Sequence, residues 1–390
     1  MMQLTEQQKK EGWRIVKFGD VAKEVKGSTK DPLSEGIDRY VGLEHIDSQS
    51  LRLSRWGMIE EDNPTFTKKF SAGDILFGRR RAYLKKAAVP DFDGICSGDI
   101  IVMAPKGKDL LPDMLPFIVQ SDQFFDWAVK HSAGGLSPRT KFKSLADFEF
   151  PLPPRKRQEE MLEVLEKIED NIFEVDDLIK NTENLFLRTR LELTAQNSGK
   201  PIQLGDIVVF KGGSGFKPEF QGNASGDFPF IKVADMNHPE NVKFINNSMN
   251  WINSAEKKIM RATAFPSGAV VFAKVGAALL LNRRRILNRD TIIDNNMMAA
   301  MPSEEISTEY LYHFLSTIDF ATFVRQGAVP SVNQSDLSSI KIVLPDKAMQ
   351  NKICNVLDGY EDTISQLLSK NIRNKKLKIM LIEEVLRETA

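Results

Sequence analysis

The chain has 390 residues, of which 42% are hydrophobic and 27% are charged, so it is long enough for two or three globular domains with their own cores. Its 53 basic and 53 acidic residues cancel, which excludes a uniformly basic nucleic-acid-binding protein and requires any such surface to be local. Because the two cysteines lie far apart and the four histidines lack zinc-ligand spacing, we expect neither a disulfide nor a metal site.

No segment predicts a membrane span or an export signal. The longest apolar stretch, residues 268–281, is interrupted by Lys274, whereas a membrane helix needs about 18 uncharged residues. The amino-terminal stretch MMQLTEQQKKEGW is polar and lacks the apolar core of a signal peptide. We therefore expect a cytoplasmic protein that contacts no membrane.

Three segments of the first half have the pattern of buried strands. They are FGDV at residues 18–21, YVGLEHID at residues 40–47 and FSAGDILFGR at residues 70–79. A basic loop follows the third strand and carries Arg79, Arg80, Arg81, Lys85 and Lys86. Since arginine can bind phosphates or pair bidentately with guanine, we expect this loop to contact DNA; the alternative for an isolated triplet is a solvated face.

A second candidate loop, GGLSPRTKFKSL at residues 134–145, precedes the last strand of the first half. Its glycines and proline predict irregular backbone. Its Arg139, Lys141 and Lys143 are side chains that commonly contact phosphates or bases. We expect them to belong to the same DNA-binding surface.

A long helix should follow the first domain. Six apolar residues repeat there with spacings of 4, 3, 4, 3 and 4, which is a heptad seam: Met161, Leu165, Ile168, Ile172, Val175 and Ile179. No proline or glycine lies between residues 158 and 197, so the helix can run for about ten turns.

The same order of elements returns in the second half. LGDI at residues 204–207, FIKVADMN at residues 230–237 and FPSGAVVFAK at residues 265–274 repeat the three strands. Later landmarks keep a constant offset of 192, from Gly135 with Gly327 to Gln158 with Gln350. One offset held over that range is not expected by chance, so the chain should contain two related domains with internal pseudo-two-fold symmetry.

The second half repeats the basic positions with different side chains. Lys274 follows its third strand, and Arg283, Arg284 and Arg285 come shortly after. The later loop, GAVPSVNQSDL at residues 327–337, carries Asn333 and Gln334. The two loops share their glycine and proline positions but differ in the polar side chains that they carry. This is expected if two related domains recognise two different short sequences.

A second heptad seam follows. It consists of Ile353, Leu357, Tyr360, Ile364, Leu367 and Asn371. A lone amphipathic helix of this length would leave its seam in water, so we expect the two helices to pair antiparallel as a coiled coil. The alternative is that each helix packs on its own globular domain. The predicted fold class is therefore α+β, with two mixed α/β domains separated by two long antiparallel helices.

No catalytic signature accompanies these elements. Residues 63–66, Asn-Pro-Thr-Phe, lack the second proline of a base-flipping methyltransferase loop, and no glycine-rich strand-turn-helix precedes them. Residues 212–217, Gly-Gly-Ser-Gly-Phe-Lys, have the wrong spacing for a phosphate loop. We predict a non-enzymatic chain that holds no catalytic residues and no cofactor.

Several stretches resemble type I restriction-modification specificity subunits. They are the WRIVKFGDV opening, DILFGRRRAYLKKAAV, FDGICSGDI, the LPPRKRQEE transition into a heptad helix, and the repetition of this layout. The resemblance implies four segments, a first target-recognition domain at 1–154, a central helical region at 155–199, a second target-recognition domain at 200–346 and a distal helical region at 347–390.

The resemblance also implies partners. In that family each domain recognises one half of a split site in double-stranded DNA, and the helix pair sets the unread spacer. Two modification (methyltransferase) subunits methylate adenine with S-adenosylmethionine, and restriction subunits add translocation and cleavage driven by ATP and Mg²⁺. All of these cofactors are expected on the partners.

Two other functions remain open on the sequence. A self-contained enzyme would show methyl transfer by the purified chain. A stand-alone DNA-binding regulator or scaffold would bind DNA tightly without enzyme partners. A second apolar surface expected at Leu162, Leu178, Leu185 and Phe186 favours partner subunits over the regulator.

Overall fold

The computed structural model describes residues 4–195, 199–324 and 329–386. These residues form two compact units. Unit 1 contains the described residues up to Leu178 and those from Leu367 onward, and unit 2 is Ile179–Gln366. Within the described part of the chain, no helix is both long and apolar enough to cross a membrane.

Unit 1 alternates short strands and helices before one long helix. Its strands are β1 (Arg14–Lys17), β2 (Ala22–Glu24), β3 (Arg39–Val41), β4 (Gly57–Met58), β5 (Lys68–Phe70), β6 (Ile75–Gly78), β7 (Ala87–Ala88), β8 (Gly94–Cys96), β9 (Ile100–Pro105) and β10 (Glu149–Leu152). Its helices are α1 (Glu6–Lys10), α2 (Phe18–Val21), α3 (Ile59–Asp62), α4 (Leu115–Val119), α5 (Asp122–Lys130), α6 (Phe142–Ala146) and the start of α7 (Arg155–Ala195).

Three sheets build the body of unit 1. An antiparallel sheet has the order β2-β9-β6-β7, and a mixed sheet has the order β4-β3-β8-β5 with β3 parallel to β8. The pair β1-β10 places Lys17 opposite Glu149. Strand β6 is buried along its whole length, as its apolar run ILFG predicts for a strand covered on both faces. Phe77 of β6 packs there against Phe124 and Phe125 of α5.

Unit 2 repeats this sequence of elements. Its strands are β11 (Ile202–Gln203), β12 (Val208–Gly212), β13 (Phe228–Ile231), β14 (Phe244–Ile245), β15 (Trp251–Ile252), β16 (Ala264–Phe265), β17 (Val270–Ala273), β18 (Arg284–Leu287), β19 (Thr291–Ile293), β20 (Met297–Pro302) and β21 (Lys341–Ile342). Its helices are α8 (Leu204–Ile207), α9 (Ser254–Met260), α10 (Ala277–Leu280), α11 (Thr308–Leu315), α12 (Gln334–Ser338) and part of α13 (Lys347–Leu386).

The sheet orders confirm the predicted repeat. Order β12-β20-β17-β18 matches β2-β9-β6-β7, with β14 added at the edge, and β15-β13-β19-β16 matches β4-β3-β8-β5. The offset of 192 survives in three dimensions: Glu149 pairs with Lys17 and Lys341 pairs with Gln203. Helices α7 and α13 begin at Arg155 and Lys347, which differ by the same number. The chain is a repeated α+β fold with two long helices.

The two long helices run antiparallel inside unit 1. Contacts join Asn171 to Asn374 at 2.7 Å and the Glu169 carboxylate to the Lys378 ammonium at 2.8 Å, so the residue number falls on one helix as it rises on the other. Leu165, Ile172 and Val175 of the predicted seam are buried, whereas Met161 and Ile168 are half-buried.

The helices are also antiparallel inside unit 2. The rings of Phe186 and Tyr360 lie 5.9 Å apart, and Arg190 is 3.3 Å from Glu361. Ile179, Ile353 and Leu357 of the two seams are buried there, and Tyr360 and Ile364 are half-buried, as is Leu367 in unit 1.

Each unit also packs its helix segments on its own core. In unit 1, Leu165 of α7 and Ile382 of α13 join the same apolar cluster as Phe18. In unit 2, Phe186 and Leu357 join the core of Tyr310. Pairing and packing on the domain, treated above as alternatives, therefore occur together.

One glutamine in each repeat fixes the start of a long helix to the domain beside it. The Gln158 side chain accepts a hydrogen bond from the Leu111 amide at 2.8 Å and donates to two carbonyls. Gln350 makes the same three bonds, accepting from the Ser307 amide at 2.8 Å. Both glutamines are fully buried, so these bonds satisfy polar groups that water cannot reach.

Candidate nucleic-acid interface

The two loops of unit 1 that we predict to contact DNA cross each other. The Arg81 amide donates to the Pro138 carbonyl at 2.9 Å, and the Thr140 amide donates to the Arg79 carbonyl at 3.0 Å. The Arg79 amide is itself held at 2.9 Å by the Asp99 carbonyl. Backbone bonds therefore hold residues distant in sequence at one site, which we name crossing 1 (residues 79–81 with residues 138–140).

Asp99 organises the arginines of crossing 1. Its carboxylate accepts two bonds from Arg139, at 2.6 Å and 3.1 Å, and lies 3.6 Å from the Arg80 guanidinium. The hydrogen bond from Arg139 is the largest cause that lowers the pKa of Asp99, and the charges of Arg80 and Arg79 lower it further against partial burial. One carboxylate thus positions several arginines but cannot neutralise all of them, so the site keeps a positive charge.

Three buried polar atoms at crossing 1 have no hydrogen-bond partner among the described residues. They are Arg79 Nε, Arg81 Nε and Thr140 Oγ1. Buried polar groups are normally bonded, and exceptions call for a specific explanation. Because these atoms are shielded from solvent, a ligand reaches them only if the site rearranges, whereas the exposed guanidinium groups of Arg80 and Arg139 are already accessible to an anionic ligand.

The backbone of Arg81 is strained. Its φ of 54° lies in the left-handed region, which costs a side-chain-bearing residue roughly 1–2 kcal/mol. The equivalent residue of the second repeat is Gly276, whose φ is also positive at 79° but whose ψ of −173° differs from the 57° of Arg81; glycine adopts positive φ without this cost. An arginine kept where glycine fits better points to a use for its side chain.

The remaining lysines of unit 1 divide into two groups. Lys141 and Lys143 are exposed, and neither forms an ion pair with another described residue. Lys85 instead binds Asp122 at 2.6 Å, and Lys86 donates to the Leu43 carbonyl at 2.6 Å. Contact of these two ammonium groups with DNA would require their present bonds to break.

Unit 2 contains the same backbone crossing, which we name crossing 2 (residues 274–276 with residues 330–332). The Lys274 amide bonds to the Asn296 carbonyl at 2.9 Å, Gly276 to Pro330 at 2.8 Å, and Val332 to Lys274 at 3.0 Å. Each bond matches one of crossing 1. The side chains differ, because Lys274, Val275 and Gly276 replace three arginines, and Ser331 stands where crossing 1 has Arg139. The loop predicted at residues 327–337 begins at Gly327, which lies outside the described residues.

The second arginine triplet is not equivalent to the first, which corrects the sequence-based match. Strand pairing places Arg284 opposite Phe272, as Ala87 is placed opposite Phe77, so Arg283, Arg284 and Arg285 correspond to Lys86, Ala87 and Ala88. The sequence comparison did not detect this because α10 is longer than the single turn at residues 82–84 that it replaces.

Arg284 is a core residue, so its predicted DNA contact is corrected. It is 2% exposed, donates to the Ile318 carbonyl at 2.6 Å, and stacks on the Phe320 ring at 3.7 Å. Burial lowers its pKa to about 9. A guanidinium enclosed in this way cannot reach a phosphate.

Arg285 and Arg283 differ from each other. The half-buried Arg285 side chain donates to three carbonyls, including that of Met236 at 3.0 Å, so it too serves the fold. Arg283 is exposed and is the one member of the triplet that can contact a ligand.

Asn333 and Gln334 begin helix α12. The Asn333 side chain accepts from the Asp336 amide at 2.9 Å and from Ser335 Oγ at 2.6 Å, so it caps the helix. It remains exposed, as does Gln334 at the first helical position. The same place in unit 1 is held by Lys141, ahead of α6. Both repeats therefore present a polar side chain at this helix start.

One group of metal-ligating side chains occurs within the described residues, in unit 2. His313, Asp358 and Glu361 converge, but the Lys243 ammonium lies 2.5 Å from Asp358 and 2.8 Å from Glu361. Burial lowers the pKa of His313 to about 4, so its imidazole is neutral at pH 7. With an ammonium group already between the carboxylates, the cluster serves as a half-buried ion pair.

Sequence reasoning missed Asp99 and Thr140. Asp99 lies outside both predicted loops, and Thr140 lies inside the second loop but carries no charge. Asn296 stands where Asp99 would be in the second repeat. The one signal for Asp99 in the sequence was its place in the SGD turn just before a buried strand. A pattern of residue types alone does not show that this aspartate contacts Arg139.

A family model described as type I restriction modification DNA specificity domain matches the chain twice, over residues 10–183 and 199–375. Among curated relatives, the specificity subunit of type I restriction enzyme EcoDI from Escherichia coli is 28% identical over 197 residues, covering 47% of this chain and 43% of that protein. The HindI specificity subunit from Haemophilus influenzae is 20% identical over 411 residues, covering 81% and 86%. The match to the EcoDI subunit thus spans less than half of that relative.

Two solved structures share the fold. A chain of a type I R-M system, studied for complex assembly and conformational transition, has a TM-score of 0.60 at 20% identity and covers 96% of this chain and 98% of its own. The S subunit of a type I restriction-modification system from M. genitalium has a TM-score of 0.59 at 13% identity, covering 100% and 99%. Because the family model matches both halves, the chain belongs to the type I restriction modification DNA specificity domain family.

Proposed function

We propose that this chain is the non-catalytic specificity subunit of a type I restriction-modification enzyme. Each repeat binds one half of a bipartite, asymmetric site in double-stranded DNA, unit 1 through crossing 1 and unit 2 through crossing 2. The chain directs the methyltransferase and restriction subunits to that site.

The observation that supports this proposal is one backbone frame with two sets of side chains. Three matched hydrogen bonds define both crossings, while Arg79, Arg80 and Arg139 of the first are replaced by Lys274, Val275 and Ser331 in the second. Phosphate contacts position a protein on DNA, whereas side chains facing base edges select sequence. Two frames of one geometry with different side chains suit two half-sites of different sequence.

Exposed apolar side chains along the long helices support the presence of partner subunits. In α7 and α13 they are Val164, Phe173, Leu178, Leu185, Leu187, Leu191, Met349, Val356, Leu368, Ile372, Leu377 and Met380. Of the four residues predicted for this surface, Leu178 and Leu185 are half exposed, but Phe186 is buried because it continues the heptad from Ile179, and Leu162 packs on the core of unit 1.

Apolar side chains exposed at many positions along these helices suit contact with protein partners. We assign it to two modification subunits, and we place S-adenosylmethionine, ATP and Mg²⁺ on the modification and restriction subunits.

The test is methylome sequencing in the native host with and without the gene, together with co-purification of the chain. We expect adenine methylation to disappear at one asymmetric bipartite motif, and the chain to purify with modification subunits. An unchanged methylome, with the chain purifying alone and still binding DNA, would instead support a regulator or scaffold.

A further inference from the structure

A loop of unit 1, closed by a single β-bridge, presents one aliphatic side chain to solvent. Ala133 and Arg139 exchange two backbone hydrogen bonds, at 3.0 Å and 2.9 Å, and the five residues between them form the tip. Leu136 at the centre of this tip is 97% exposed. It contributes almost nothing to the core, so its side chain serves no evident role in folding.

The loop that carries Leu136 is held to the arginines by hydrogen bonds. The bond from the Arg81 amide to the Pro138 carbonyl, at 2.9 Å, joins its tip to crossing 1. The Arg139 side chain at its base is held by Asp99. Leu136 is therefore an apolar group at a set position among cations.

The second repeat has a similar feature. Val329, which precedes Pro330 of crossing 2, is 69% exposed. The offset of 192 places Val329 opposite Ser137, one residue after Leu136. Both repeats thus expose an aliphatic side chain in the loop that carries their crossing.

An aliphatic group among cations fits a polyanion that also offers small apolar patches. The major groove of DNA is wide enough to admit protein elements, and its main apolar feature is the 5-methyl group of thymine. We propose that Leu136 packs against a thymine 5-methyl group in the major groove and so selects one base pair of the half-site bound by unit 1. This inference rests on the proposed function, because it requires crossing 1 to bind DNA.

The test measures binding of the chain, in complex with its modification subunits, to duplexes that contain its methylated motif. Each thymine of the motif is replaced singly by deoxyuridine, which removes only the methyl group. Binding is measured at one fixed salt concentration for the wild type, for Leu136→Ala and for the matched control Val329→Ala. Both side chains are exposed, so unchanged thermal melting should show that the variants fold.

For the wild type, we expect one deoxyuridine substitution in one half-site to weaken binding about four-fold, the effect of one buried methyl group. Leu136→Ala should lose a similar amount on the unmodified duplex and nothing further at that position. Val329→Ala should keep the response of that position to the methyl group.

Three results would overturn the inference. The first is that no deoxyuridine substitution changes the affinity of the wild type. The second is that the losses of affinity caused by Leu136→Ala and by deoxyuridine add together. The third is that Leu136→Ala weakens binding equally on all sequences, as expected if Leu136 were a wedge inserted between base steps. Failure of the proposed function itself is distinguishable, because the wild-type complex would then show no preference for any motif.

Discussion

Arg81 and Gly276 occupy equivalent positions in the two repeats, and both have a positive φ. The left-handed φ of Arg81 carries a strain that glycine lacks. No other positively charged residue of crossing 1 has such a backbone, so Arg81 is the position at which the proposed DNA binding can be tested separately from stability.

We predict that Arg81→Gly leaves the free energy of unfolding within about 1 kcal/mol of the wild type, because relief of strain offsets the added freedom of the unfolded chain. The same change should weaken DNA binding by about 1 kcal/mol or more, as expected for loss of an arginine contact. Chemical denaturation and DNA titration measure the two effects.

Arg80→Gly is the matched control, because Arg80 has no positive φ. It should weaken both stability and DNA binding. If Arg81→Gly destabilised the protein as much as Arg80→Gly, the account of strain would be wrong.

Arg284 is expected to support folding rather than DNA binding. Replacing it with alanine leaves the Ile318 carbonyl without its donor, removes one of the two donors to Asn282 Oδ1, and empties space beside Phe320. We predict that Arg284→Ala lowers the free energy of unfolding by on the order of 3 kcal/mol, and that Arg283→Ala changes it by less than about 0.5 kcal/mol. Equal melting of the two variants would contradict the assignment of Arg284 to the core.

At the scale of single residues, the sequence predicted the basic loops but not the role of each side chain within them. Composition can identify an arginine triplet, yet it cannot distinguish Arg80, which borders solvent, from Arg284, which a strand carries into the core. The difference arises from strand pairing, and β7 and β18 are too short for a reliable sequence pattern.

The long helices were the element that sequence defined best, because a heptad pattern is local and regular. It did not reveal the polar residues in the same interface. Glu169 and Lys378 form a buried pair at 2.8 Å, and the Lys378 ammonium also reaches the Gln120 side chain at 3.0 Å. Hydrophobic periodicity does not predict such groups, although they restrict the pairing to one register.

We predict that Lys378→Met lowers the free energy of unfolding by about 3–5 kcal/mol, because Glu169 is left buried and uncompensated. Replacing both residues, as Glu169→Leu with Lys378→Met, should recover most of that loss. Lys375→Met is the control. Its partially exposed ion pair with Asp176, at 3.5 Å, should contribute less than about 1 kcal/mol. A double variant no more stable than Lys378→Met alone would show that the pair is not the cause.

At the scale of the whole molecule, the repeat was predicted from one constant offset and is confirmed by matching sheet orders. The crossings were not predicted as single sites, since each joins loops about 60 residues apart through backbone bonds that leave no residue-type pattern. The central claim rests on these crossings: we propose that two sites with the same backbone geometry recognise two different half-sites.

The most direct measurement is methylome sequencing of cells that carry variants of one crossing at a time. Arg80→Ala with Arg139→Ala should relax or abolish recognition in one half of the bipartite motif, and Lys274→Ala should affect the other half. Methylation that changes in both halves alike for either variant would contradict the claim that each repeat recognises its own half-site.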